Sequence, residues 1–307
     1  MHLDKYLVER FFKQSNVAVL LVFTAFIGVL LLPFIWFYEP NVAAPAIGSI
    51  ALIVLSGILY MGAMLLYLQA LQSEEASVVA PFFQASPLFG YVLAYFVLGE
   101  TLSARQMAGG AMIIVGALIV SIRFAPSLPA AAGGGRDGAP RDAGVAATPG
   151  RGFKARLAIL MLACGFALAL SGLIFKIFAI EVEFWTTTFW MFVGEGIFGV
   201  ALLLITSYRR QFVAVLRANT VALLSINASN ELINLGGGLG NRYALMFAPL
   251  SIVQAIGSTT TLFVFAFGIL LSVLGPRFGR ETLSRRELAQ KAIAAVFVTL
   301  GVALVTH

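Results

Sequence analysis

Apolar runs of membrane-crossing length follow one another from near the N-terminus to the last residues. They fall at about 16–37, 46–71, 77–98, 106–123, 155–178, 185–206, 219–240, 249–274 and 288–306. A helix crossing the hydrocarbon core needs about 20 mostly apolar residues, and only helices and closed barrels satisfy their backbone groups there. Nine such runs predict an all-α polytopic membrane protein. Composition agrees: 60% of the residues are hydrophobic and 11% are charged. Ordinary soluble domains have roughly 45–50% apolar and about 25% charged residues. A single anchor helix on a soluble domain is excluded, because the runs continue to the end of the chain.

Charge sets the expected orientation. When the loops alternate between two sides, 17 of the 20 basic residues fall on the side of the N-terminus. Arg105, Lys176 and Arg242 fall on or near the other side. Basic loops stay in the cytoplasm, so the N-terminus and the segment 124–154 are expected there, in a bacterial inner membrane. That bias also accounts for the net charge of +6 without nucleic acid. The segment 124–154 holds mostly Ala, Gly, Pro and charged residues, reads as a flexible linker, and separates a first half (1–123) from a second (155–307). The single cysteine, Cys164, and the terminal histidines His2 and His307 leave no material for disulfides, metal sites or histidine-based catalysis. No phosphate-cradling loop or catalytic motif occurs, so no cofactor and no enzymatic activity are expected.

The halves repeat one another. Glu100-Thr101-Leu102-Ser103 recurs as Glu281-Thr282-Leu283-Ser284, each just before the last span of its half. Ser77-Val78-Val79 matches Ser251-Ile252-Val253, Leu88-Phe89 matches Leu262-Phe263, Lys5 matches Lys176, and Gly28 matches Gly199. Lys176 closes a span, but only four residues precede Lys5. The repeat therefore predicts five helices per half, with the first absent through a late start codon or a truncation. Five-helix repeats point in opposite directions, an inverted symmetry common in secondary carriers.

The stretch from Tyr67 to Ser121 carries a family resemblance. Ala76-Ser77, Ser86-Pro87-Leu88, Gly99-Glu100 and the glycines Gly109, Gly110 and Gly116 resemble the first repeat of an EamA-type transporter of the drug/metabolite transporter superfamily. The second repeat is similar more loosely, with Thr261 at the Pro87 position. The resemblance implies an inverted-repeat carrier that moves small metabolites through a central cavity.

Polar residues inside the spans are the candidate site. Glu195 and Glu231 lie deep in predicted helices, where a charge costs roughly 2.5–3.5 kcal/mol on insertion scales. Asn227, Glu231, Asn234, Gly238 and Asn241 share one helical face, with Asn230 beside it. This stripe is expected to face the interior, as a cavity wall or as an interhelical hydrogen-bond network. Lys176 is the nearest basic candidate for Glu195 and otherwise snorkels to the interface. Glu195, Glu231 and Lys176 are the candidates for ion coupling or pairing. Gln84, Gln254 and Tyr67 join the cavity candidates. Trp190, with Trp185, forms either a stacking surface or an interfacial belt. Gly236-Gly237-Gly238-Leu239-Gly240 reads as close helix packing, unwound backbone or substrate contact. Glu100 and Glu281 read as caps of the helices that follow them.

The expected function is a secondary transporter, an exporter or exchanger of a small organic metabolite by alternating access at the repeat interface. The alternatives are a lipid or amphiphile flippase on the same scaffold and a truncated, non-transporting membrane protein. The expected partners are a small-molecule substrate and the lipid bilayer; a homodimer stays open.

Overall fold

Helix ends in this chain are set by capping groups and glycines as much as by hydropathy. The computed structural model describes residues 18–73, 86–121, 151–218, 220–257, 259, 263 and 285–306. Among the described residues every regular element is helical. In chain order they are α1 (Ala18–Tyr38), α2 (Ile47–Ser73), α3 (Ser86–Leu93), α4 (Ala104–Ser121), α5 (Arg151–Glu181), α6 (Phe184–Leu204), α7 (Thr206–Ala218), α8 (Thr220–Ala244), α9 (Leu250–Gly257) and α10 (Arg285–Thr306).

Four helices are long and apolar enough to cross a membrane: α1, α2, α5 and α6. The nine-span expectation is therefore met in part among the described residues. Large apolar side chains point outward from these helices. Phe37 is 90% exposed, Phe34 73% and Leu204 76%. Such surface needs lipid, and together with the apolar helices it makes this an integral membrane protein.

Local chemistry explains several boundaries. A 3-10 turn at Pro40–Ala43 follows α1, and the Glu39 carboxylate accepts from the Asn41 N–H at 3.3 Å. α3 runs on into a π-helical turn, Ala94–Leu98, which stops at Gly99 with φ of 63°. That left-handed conformation suits glycine and turns the chain so that Glu100 N–H returns to Ala94 O. α4 then starts from a reciprocal capping box. Ser103 Oγ accepts from Gln106 N–H at 3.2 Å, and Gln106 Oε1 accepts from Ser103 N–H at 3.0 Å. This corrects the expectation that Glu100 starts the helix. α5 begins at Arg151, so the last residues of the expected linker are helical. Glu183 caps α6, accepting from Thr186 N–H at 2.8 Å.

The main packing pairs join the two halves of the sequence: α1 with α6, α2 with α5 and α6, α3 with α5 and α9, and α4 with α10. Glycines permit the crossings. A Cβ on Gly194 would strike the Val54 carbonyl, and one on Gly57 would strike the Met191 carbonyl, so the backbones of α2 and α6 touch there. At the α4–α10 crossing, Gly116 faces Ala294 and Val298 while Gly301 faces Gly109 and Ile113. Gly28 and Gly199, matched by the repeat, both lie in the α1–α6 crossing: Gly199 faces Ala25 and Gly28 faces Phe192.

Candidate functional site

Three buried charges, Glu195, Glu231 and Arg242, lie on α6 and α8. Glu195 lies near the centre of α6 and is 3% exposed. Its small neighbours, Gly194 and Gly196, let α2 and α1 close over it: Gly194 meets Val54 and Gly196 meets Val29. Arg242, on the last turn of α8, reaches inward and donates from Nη2 to Glu195 Oε1 at 2.6 Å. Three rings surround the guanidinium. Its carbon lies 4.9 Å from the centroid of Phe192, 5.7 Å from Tyr60 and 5.9 Å from Phe175. Ring faces attract a cation most where water is excluded.

Glu231 joins the same neighbourhood. It lies near the middle of α8, is 4% exposed, and accepts from Thr24 Oγ1 at 3.0 Å. On α1, Thr24 and Gly28 are one turn apart, about 6 Å along the axis. A Cβ at Gly28 would lie 3.5 Å from Glu195 Oε2. One stripe of α1 thus faces both carboxylates. Asn230 is buried beside Glu231 at 3% exposure. Two carboxylates, one guanidinium and an amide therefore lie within the bundle.

The expected pairing of Glu195 with Lys176 is corrected. Lys176 is near the end of α5, far along its helix from the depth of Glu195, and pairs with Glu100 at 2.5 Å. Its Nζ also donates to Ala248 O at 2.6 Å, and Glu100 Oε2 accepts from Leu250 N–H at 3.1 Å. A basic end of α5, the Gly99 turn of the first half and the start of α9 are clasped at one point. Glu100 caps a helix, but that helix is α9.

The asparagine stripe is corrected by rotation. Asn230, Glu231, Arg242 and Leu245 are buried, whereas Asn234 and Asn241 are exposed. The inward face of α8 is displaced about one position from the predicted stripe. The side chain of Asn227 and all of Gln84 lie outside the described residues. Within Gly236–Gly240 only Leu239 packs inward, while Cβ atoms added at Gly236, Gly237, Gly238 and Gly240 meet no atom within 4 Å.

Other candidates are placed elsewhere. Gln254 sits where α3, α5 and α9 meet; Ser86 Oγ donates to its Oε1 at 3.4 Å, and Gly90 and Gly172 leave it room. Tyr67 belongs to the apolar cluster of Val19, Val22, Met161 and Cys164. Trp190 donates its indole N–H to Val42 O at 2.6 Å, tying α6 to the 3-10 turn. Trp185 packs edge-on to Tyr38 at 5.7 Å.

Thr24, Arg242 in its pairing role, and the rings of Tyr60, Phe175 and Phe192 are the additions that sequence reasoning did not make. Arg242 carried one usable signal: it was a basic residue on the side that basic residues avoid.

Residues 5–122 match the EamA-like transporter family, part of the drug/metabolite transporter superfamily. A solved crystal structure, titled only as that of a protein, superposes with a TM-score of 0.58 at 16% identity, covering 95% of this chain and 88% of that one. At that identity the likeness concerns the fold. No curated protein matches the chain.

Proposed function

We propose that this chain, whose residues 5–122 match the EamA-like transporter family, is a secondary carrier of a small polar or cationic organic solute. The family match over residues 5–122 and the apolar helices support a membrane transporter; substrate class and mechanism are our reading. The observation that carries this reading is the pair of buried carboxylates, Glu195 held by Arg242 and Glu231 held by Thr24. Charges buried in a membrane bundle are costly and mark solute or ion pathways. A wall of buried acids and an amide suits an amine or a proton better than an anion.

Alternating access is carried by the helix pairs. Repeat-matched glycines meet at the α1–α6 crossing, as expected if two inverted halves rock on each other. The Glu100–Lys176 pair lies near the end of α5, opposite the arginine-rich side, and in our reading it closes the carrier there. Opening there breaks the ion pair and the bond from Leu250 N–H. The arginine-rich side faces the cytoplasm in this reading, with nine crossings in all. Glu195 and Glu231 are the places where a coupling proton would bind.

A flippase is the second reading, favoured by one observation. On α8 the glycines Gly236, Gly237, Gly238 and Gly240 meet no atom within 4 Å, and Asn234 and Asn241 beside them are exposed. A headgroup could slide along that stretch of the helix.

Thermal stability of the detergent-purified protein tests the first reading. The panel holds polyamines, amino acids, nucleosides, sugars and cationic drugs. A ligand at 100 times its dissociation constant stabilises the fold by about 2.7 kcal/mol. The carrier reading expects a rise for one cationic or polar class, lost in Glu231→Gln. A well-folded protein that responds to none of them counts against it.

A further inference from the structure

Helix α7 falls where hydropathy left a loop. Its sequence, TSYRRQFVAVLRA, contains three arginines and no acid. α6 breaks at Ile205, whose extended backbone turns the chain into α7. The helix is two-faced. Tyr208, Phe212, Val215 and Leu216 pack against the apolar cluster of α1, α2 and α5. Phe212 lies 4.9 Å from the buried ring of Phe23 and 6.2 Å from Phe26, which is 44% exposed. α7 therefore straddles the edge of the bundle, where core side chains give way to lipid-facing ones.

The outward face carries Arg209, Arg210, Val213 and Arg217, all exposed. The steps of three and four place Arg210, Val213 and Arg217 in one row. No described carboxylate pairs with these arginines. Exposed apolar Leu204, Ile205 and Val213 lie in and beside the row. A soluble polyanion would leave that apolar surface in water; a leaflet covers it and meets the guanidiniums with phosphates.

We propose that α7 is an interfacial helix whose arginine row binds the headgroups of anionic phospholipids in the leaflet on the arginine-rich side. Guanidinium forks match phosphate oxygens in pairs, and a basic amphipathic helix lies in the headgroup plane with its apolar face down. The bound headgroups pin the hinge between α6 and α8, the two helices that supply Glu195, Glu231 and Arg242.

The test uses the full chain reconstituted in vesicles of equal parts phosphatidylcholine and phosphatidylglycerol. Spin-labelled analogues of each lipid report their relative affinity for the protein surface. Each arginine near an anionic surface strengthens binding about fivefold. Arg217→Gln is expected to lower the preference for phosphatidylglycerol by about that factor. The triple change R209Q/R210Q/R217Q is expected to remove most of it, and the corresponding lysine triple to retain it. Thermal midpoints in pure phosphatidylcholine check folding; if the glutamine triple fails to fold, Arg217→Gln alone decides. A folded glutamine variant with the wild-type preference overturns the proposal, as does a wild type without preference.

Discussion

Glu195 and Arg242 hold each other in place, and each is costly alone. Removing one partner of a buried ion pair costs about 3–5 kcal/mol, because the other charge is left unpaired. Glu195→Leu is expected to lower stability by that amount, and Glu195→Leu with Arg242→Met to recover most of it. Cys164 provides the readout. It is the only cysteine, is fully buried, and donates to Ala63 O at 3.2 Å, so a thiol reagent reaches it only as the bundle opens. Equal labelling rates in the single and double variants would remove the pair from the account. At this scale the acids were legible, since a carboxylate in the middle of an apolar run has few reasons to be there. Their partners were not. Residue spacing says that Asn227, Glu231 and Asn234 share a face, but not how that face is turned. A rotation of α8 by about one position exchanged Asn234 for Asn230 and brought in Arg242.

Among the elements, contacts between backbones decide the geometry. Gly57 and Gly194 let α2 and α6 touch, and a methyl group at either has no space. Gly194→Ala is expected to cost about 1–3 kcal/mol through overpacking. Gly62→Ala, with only Phe198 at 4.0 Å, serves as the near-neutral comparison in the same unfolding assay. Gly99→Ala is a different case, since its φ of 63° strains any side chain by about 1–2 kcal/mol. It should also displace Glu100 from Lys176. If Gly99→Ala loosens the protein no further when Lys176→Met is already present, the turn acts through the clasp; full additivity would separate them. Helices with high hydropathy were readable from the sequence. α7 was not, because its apolar side chains form only one face and its arginines lower the average. Ser103 and Gln106 did carry a capping signature, which the more conspicuous Glu100 obscured.

For the molecule as a whole, the two halves of the sequence are packed into each other, so α1 packs chiefly on α6 and α4 on α10. Membrane class and the first half's likeness to the EamA-like family were legible, because lipid demands long apolar runs and the Gly99-Glu100 region resembles the family's pattern. Cross-half pairing was not, because hydropathy counts helices without saying which ones touch. The central claim is that solute passes through the Glu195–Arg242–Glu231 cluster. Its most direct test loads proteoliposomes with a mixture of amino acids, polyamines, nucleosides and sugars and follows by mass spectrometry what leaves. The account predicts selective efflux of one polar or cationic class, faster than from protein-free vesicles and abolished in folded Glu195→Gln and Glu231→Gln proteins. Efflux no faster than from empty vesicles for every class, or efflux untouched by both substitutions, would contradict it.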